Sequence, residues 1–296
     1  MSTSIHIRPL LALTEMYAAV DLQKSYWGDD LESVIPAHML FSLATHGGHV
    51  LAAFERERIV GVLVGFLGTG GEDGRPAAAH LQVVSKRMVV LPGFRGHGLG
   101  YSLKMAQRDL AVQQGLDLVT WTFDPLLAAN AHLNLRKLGA ICRQYLQNYY
   151  GEDDRGGLTV LGSSDRLFVE WGVTDAQVNA RAEGSRLDKP LRAYLDAGAR
   201  VLNPTTAGPD HRPRPAERIQ PAGDAVALLE IPVDFRAILQ ADEALALAWQ
   251  MHVRDSLQSL LREKYVITDF VRETYEGRDR AFYVLSRDAQ FDFNQN

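Results

Sequence analysis

The chain has 296 residues, of which 46% are hydrophobic and 23% charged, enough apolar matter for one large or two modest globular domains. Its 31 Lys and Arg against 36 Asp and Glu sum to −5 with histidines neutral, so there is no basic footprint and no nucleic-acid partner is expected. A single cysteine, Cys142, excludes an intramolecular disulfide framework and any multi-cysteine metal site, and no metal is expected.

The first ten residues are polar, carry Arg8 and lack the apolar core of a signal peptide. The run over residues 59–71, free of Asp, Glu, Lys and Arg, is too short to span a bilayer. The expectation is a cytoplasmic protein with no membrane partner. In chain order the pattern predicts a strand over 5–8, then a helix over 14–26 with Met16, Val20 and Leu22 toward the core. A second helix starts near Pro36, which suits a first turn, and stops at Gly47-Gly48. Residues 49–55 and 59–67 read as a hairpin across Arg56-Glu57-Arg58, because β-branched and apolar residues flank a short charged turn.

A strand over 81–91 ends at Pro92-Gly93. The helix over 98–114 carries Leu99, Leu103, Ala106 and Leu110 at helical spacing and closes at Gly115. A strand over 118–123, a helix over 130–138 closed at Gly139, and strands over 141–149 and 167–171 follow. Pro204, Pro209, Pro213, Pro215 and Pro221 then crowd one stretch that also holds Thr205, Thr206 and Gly208. That composition sustains neither a helix nor a central strand and reads as a surface connection. Beyond it come a strand over 225–231, a helix over 242–261 with Leu245, Trp249, Val253, Leu257 and Leu260 on one face, and strands over 266–271 and 281–285 joined across Glu276-Gly277-Arg278. The implied division is a first domain over 1–175, a connecting segment over 176–222 that is Pro-rich at 204–221, and a C-terminal β-α-β-β unit over 223–296.

The junction Arg95-Gly96-His97-Gly98-Leu99-Gly100 carries the most chemistry. A strand ends, a glycine-rich turn follows and an amphipathic helix begins. Glycines let backbone amides approach a ligand, and a helix start adds unpaired N–H groups and a positive dipole end, which together suit a pyrophosphate. The plainer reading is a tight strand-to-helix turn. Arg95, Gly98 and Gly100 match the Arg/Gln-x-x-Gly-x-Gly/Ala signature, and the chain here resembles the GNAT N-acetyltransferases. The preceding Met88-Val89-Val90-Leu91-Pro92-Gly93-Phe94 and the later Asn134-Leu135-Arg136-Lys137-Leu138-Gly139-Ala140 are similar to the family's strand and helix at those places. The order of elements agrees over residues 3–173. The string over 119–151, with Thr122-Phe123-Asp124-Pro125-Leu126 and Tyr149-Tyr150-Gly151, also resembles a poorly characterised acetyltransferase subgroup with a C-terminal extension, which supplies no substrate.

The resemblance implies an α/β (α+β) fold with a mixed, mostly antiparallel sheet flanked by helices. It implies acetyl-coenzyme A as cosubstrate, with pyrophosphate over Arg95, Gly96, His97, Gly98, Leu99, Gly100 and Tyr101. Pantetheine would pair with Val89, Val90 and Leu91 on one side, with Trp121 to Phe123 opposite, where two parallel strands splay. Acetyl transfer by direct attack of an amine needs positioning, deprotonation and oxyanion stabilisation, and a strand amide near Val90 is a candidate for the last. One departure stands out: many family members place a tyrosine acid where this chain has Leu135. Asn130 and Asn134, four apart, either touch the pantetheine end or cap the turn.

For a general base the first candidate is Glu170, which alternation along its strand sets on the face opposite Val169 and Trp171, and the second is Asp124, at a strand's carboxyl end. Each has a structural reading, an outward charge for Glu170 and a turn cap for Asp124-Pro125. His97 more simply points to solvent. Trp27 with Asp29, Asp30 and Glu32 would suit a cationic substrate or form a solvated loop around a packed Trp. In the C-terminal unit, Leu261-Arg262-Glu263-Lys264 and Asp279-Arg280-Ala281-Phe282 echo Leu135-Arg136-Lys137 and Asp165-Arg166-Leu167-Phe168, a weak repeat read as a degenerate half-unit that covers a sheet edge or walls the acceptor cleft. The expected function is an N-acetyltransferase acting on a primary amine of a small molecule, with a homodimer left open. A non-catalytic acyl-coenzyme A-binding module and a dinucleotide-binding oxidoreductase are the alternatives, although the latter favours G-x-G-x-x-G over the G-x-G-x-G found here.

Overall fold

The sheet-forming segments fall into two units. The computed structural model describes residues 5–28, 33–70, 80–152, 159–223 and 225–287. One unit takes the described residues up to Trp121 and the return segment Gly172–Asp175, and the other takes the rest. Among the described residues, no helix is long and apolar enough to cross a membrane.

The first unit contains β1 (Ile5–Pro9), α1 (Leu13–Trp27), α2 (Ala37–Thr45), β2 (His49–Glu55), β3 (Arg58–Thr69), β4 (Leu81–Val90), α3 (Leu99–Gln113) and the start of β5 (Leu118–Phe123). Strands run in the order β1-β2-β3-β4-β5, antiparallel except for the parallel β4–β5 step. Strand side chains alternate between faces, and both faces of this sheet are covered. Val50, Ala52 and Phe54 of β2 pack with Met16, Ala19 and Leu22 of α1 and Leu40 of α2. Leu51 and Ala53 turn the other way and meet Leu99 and Leu103 of α3. A strand buried on both faces reads as a continuous apolar run, which is why residues 49–55 look uniformly hydrophobic rather than alternating.

The second unit contains α4 (Ala128–Ala131), β6 (Ile141–Leu146), β7 (Arg166–Gly172), α5 (Ala176–Ala182), α6 (Leu191–Asp196), β8 (Arg200–Val201), β9 (Thr206–Ala207), β10 (Pro213–Arg214), β11 (Val226–Ile231), α7 (Phe235–Ala241), α8 (Glu243–Arg262), β12 (Val266–Tyr275) and β13 (Arg278–Ser286). Its strands run β7-β6-β12-β13-β11-β8, with only β8–β11 parallel. Every residue expected on the inner face of α8 is buried: Leu245, Trp249, Val253, Leu257 and Leu260. The Pro-rich stretch forms only the two-residue pair β9–β10. The segment before it contributes to the core, because Leu191 and Ala199 pack against Leu228, Val271, Phe282 and Val284.

Several elements differ from expectation, α5, α6 and β8 among them, since they lie in the segment expected only to connect. The helix expected over 130–138 begins at Ala128 and turns π-helical over His132–Lys137, where the Leu138 amide reaches the Leu133 carbonyl at 3.0 Å. The strand expected to reach 149 stops at Leu146, and Asn148 takes a φ of 48°. Helix α7 went unread because it is short. It is started by Asp234, whose carboxylate accepts the Ala237 amide at 3.0 Å.

The second unit also has a local twofold plan. The antiparallel pairs β6–β7 and β12–β13 meet through β6 and β12, antiparallel at Cys142 and Ile267. The helical turn that precedes β6 packs on β12, while α8, which precedes β12, packs on β6. Ion pairs follow the same exchange, Arg136 to Asp269 at 2.6 Å and Arg254 to Asp165 at 2.7 Å. Both helices close on left-handed residues, Gly139 (φ 74°) and Lys264 (φ 68°). In this arrangement β12 covers the outer edge of β6.

Candidate functional site

Strand β4 passes through the short helical turn Pro92–Phe94 into the glycine-rich loop and α3. Gly96 and Gly98 hold φ of 79° and 81°, a region where side chains are strained, so glycine is required there. A Cβ built on either would meet no atom within 4 Å, so the space above the loop is open. Gly98 is the N-cap of α3 and no side chain caps it. The first bond of the helix is from the Ser102 amide to the Gly98 carbonyl at 3.0 Å, so the amides of the first turn before it have no partner within the helix. Arg95, His97 and Gly98 are exposed, Gly100 and Tyr101 half-buried, and Leu99 anchors the helix start in the core. Arg95 is steadied by its Nε, which donates to the Val90 carbonyl at 2.9 Å, and its guanidinium lies 5.1 Å from the Tyr26 ring.

The parallel β4–β5 ladder is very short. It pairs Val83 with Val119 and Val84 with Thr120, and then the strands part. A β-bulge coincides with the parting: opposite β3 the register moves from Val64–Arg87 to Gly65–Ser85, leaving Lys86 as the extra residue. Beyond it, the Leu91 amide is spent on the Val60 carbonyl at 2.9 Å. Alternation along the strand therefore aims the backbone groups of Val90 and Met88 away from β3, toward the side that β5 has left. Val89 is buried, and Val90 and Leu91 are partly exposed.

At the apex of this splay lies a polar group that sequence reading missed. Lys104 of α3 is 3% exposed. Its ammonium donates to Ser85 Oγ at 2.8 Å and Gln107 Oε1 at 3.2 Å, and it sits 3.6 Å from the centre of the Trp121 ring. Burial alone holds the Lys104 amine well below the usual lysine range. The available signal was positional: Lys104 and Gln107 fall on the same helical stripe as Leu103 and Ala111, where an amphipathic helix puts apolar residues.

The remaining candidates lie in the second unit, apart from Trp27. Asp124 accepts the Leu126 amide at 2.8 Å, the turn geometry that Asp-Pro favours. Burial raises its carboxyl above the usual range, against the opposing pull of that amide and of Arg166. Glu170 is ion-paired with Arg143 at 2.8 Å. Asn130 is exposed and Asn134 buried. Leu135 is fully buried. The Trp27 ring carries the Arg87 guanidinium 4.6 Å from its centre, so one face is already occupied by the chain's own cation. Asp29, Asp30 and Glu32 lie outside the described residues.

The acetyltransferase (GNAT) family model matches residues 14–139. This segment is a GNAT acetyltransferase domain. It contains the glycine-rich loop, the splayed β4–β5 pair and the α3 helix, and the chain therefore carries an acetyltransferase domain. Among curated proteins, none matches. Among solved structures, the chain is similar to the ribosomal-protein-S18-alanine N-acetyltransferase from Escherichia coli at 16% identity, covering 58% of this chain and 96% of that one with a TM-score of 0.44. It is also similar to an acetyltransferase of the GNAT family from Streptococcus pneumoniae, at 16% identity over 56% and 98% of the two chains with a TM-score of 0.43. A third similarity is to Arabidopsis thaliana NAA60 in complex with a bisubstrate analogue, at 12% identity over 57% and 97% with a TM-score of 0.45. In the GNAT domain the loop is the place suited to an anion, and the unpaired edge of β4 is the place suited to an extended amide-containing chain.

Proposed function

We propose that this chain transfers the acetyl group of acetyl-coenzyme A to a primary amine of a small molecule by direct attack, acting in the cytoplasm. The observation that carries the reading is the uncapped start of α3, with Gly96 and Gly98 in left-handed conformation beneath open space. Pyrophosphate over residues 95–101 would take the free amides and the positive end of the helix dipole. Pantetheine, an extended chain with two amides, would lie along Val89, Val90 and Leu91, where the Met88 and Val90 backbone groups face away from β3 and the Val90 carbonyl already accepts from Arg95. A freed amide at Val90 would face the developing oxyanion.

An amine acceptor is mostly protonated near neutrality and must lose a proton before it attacks. Asp124 now precedes Glu170 as the candidate base. Burial disfavours the charged form of the Asp124 carboxyl, whereas Glu170 is engaged by the Arg143 guanidinium. Asn130 and Asn134 remain candidates for the pantetheine end. The fully buried Leu135 favours a second reading, a domain that binds acyl-coenzyme A without turnover. Calorimetry with acetyl-coenzyme A, alongside nicotinamide and flavin nucleotides, tests the coenzyme. A screen of small amines with thiol detection tests the transfer. Binding of acetyl-coenzyme A without thiol release from any amine would favour the second reading, and binding of a dinucleotide alone would sink both.

A further inference from the structure

We propose that Lys104 is the acid that protonates the departing coenzyme A thiolate, its amine held at the apex of the β4–β5 splay by Ser85, Gln107 and Trp121. The proposal rests on the acetyl-coenzyme A reading above. Ser85 and Trp121 are the first residues past the ladder on β4 and β5 respectively, since the last pair is Val84 with Thr120. Lys104 touches both, so its Nζ fills the wedge where the two strands separate. A buried ammonium is costly unless an anion accompanies it. Among the described residues no carboxylate does: its partners are a hydroxyl, an amide oxygen and an indole ring. Gln107, also fully buried, keeps an Nε2 with no hydrogen-bond partner. This polar cluster lacks an anion, and its Ser85 stands on β4 ahead of Val89, where the strand segment offered to the coenzyme begins.

The anion that acetyl transfer generates is a thiolate. The acceptor nitrogen forms the C–N bond, the C–S bond breaks with its electron pair on sulfur, and the Lys104 ammonium gives sulfur a proton. The proton then shed by the acceptor nitrogen restores the ammonium. An ordinary lysine (about 10.4) is a weaker acid than an ordinary thiol (about 8.5), so an acid for this task needs its affinity for protons reduced. Burial does that here, with no neighbouring charge adding to or opposing it. Leu135, where the family resemblance places a tyrosine acid, has no proton to give.

The test is the ionisation of the coenzyme A thiol in the bound state, read by thiolate absorbance against pH, in the parent and in Lys104→Met and Lys104→Arg. The parent should ionise bound thiol at a proton concentration about tenfold higher than free coenzyme A, and Lys104→Met should remove that shift. Lys104→Arg should keep part of the shift, because the charge remains, while turnover falls about 10²–10⁴-fold, because guanidinium does not release its proton. A parent whose bound thiol titrates like free coenzyme A overturns the proposal, whether or not the Met variant folds. So does an unchanged shift in folded Lys104→Met. A parent that binds no coenzyme A at all overturns the coenzyme reading itself, and the role of Lys104 with it.

Discussion

Arg95, Gly98, Asp124, Glu170 and Lys104 each make a separable demand on chemistry. Gly98→Glu places a carboxylate and strained backbone where a pyrophosphate would bind, and should abolish acetyl-coenzyme A binding by calorimetry. Arg95→Ala should weaken it by about 1.5–3 kcal/mol, the worth of one hydrogen bond to a charged group. For the base, Asp124→Asn should lower turnover roughly 10²–10⁴-fold, while Glu170→Gln should lose the Arg143 pair and act mainly on stability. Equal turnover in the parent and Asp124→Asn would remove the residue from the mechanism. Asp124 also makes a pH prediction. Its folded pKa lies above the unfolded value, so its contribution is fully present below the usual carboxyl pKa and is lost as pH rises through the folded value. Asp124→Asn keeps an oxygen for the Leu126 amide and should melt above the parent at pH 7, with the gap closing below about pH 4. Lys104 has the opposite window: its folded pKa is depressed, so the parent should gain stability relative to Lys104→Met as pH rises from that value toward about 10.4.

Helices and strands were legible to the extent that their information is local. The α8 stripe and its start at Asp242 are readable from spacing and cap chemistry, and in the structure the Asp242 carboxylate accepts the Leu245 amide at 2.9 Å. Asp242→Ala should therefore cost about 1 kcal/mol in urea unfolding. The β12–β13 turn was readable for the same reason, because Glu276 and Gly277 at φ 51° and 73° form the tight turn that such a pair supports. The π-helical turn over His132–Lys137 was not readable. An apolar period of three to four residues fits either closure, and which carbonyl an amide reaches is settled by what packs on the turn, here β12.

At the scale of the whole chain, the family match ends at residue 139, yet the second unit continues its own sheet from β6 into β12. The two ion pairs exchanged across that junction are shielded, and Asp165 also accepts from Tyr145 at 2.6 Å, Ser163 at 2.9 Å and the Asn148 amide at 3.0 Å. Asp165→Ala leaves Arg254 and these donors uncompensated and should cost about 3–5 kcal/mol in urea unfolding. Breaking the exposed Arg272–Asp279 pair should cost under about 1 kcal/mol. A similar small cost for both would refute the view that the exchanged pairs hold the two halves together. Cys142 lies at the same junction, fully buried, and burial raises its thiol well above the ordinary range. Alkylation of the native protein at pH 8 should therefore proceed only as fast as the protein opens.

The amino-acid sequence by itself determined the order of elements from β1 to β7, the glycine turn before α3, the inner face of α8 and the absence of a helix or long strand in the Pro-rich stretch. Each follows from backbone preferences and side-chain periodicity within a few residues. Tertiary structure alone decided that Glu170 meets Arg143, that Trp27 is faced by Arg87, that β12 pairs with β6, and that Lys104 is buried against Ser85 and Trp121. A charge's chemistry depends on the solvent it has lost and the partner it has gained, and both arrive from parts of the chain that no local pattern records.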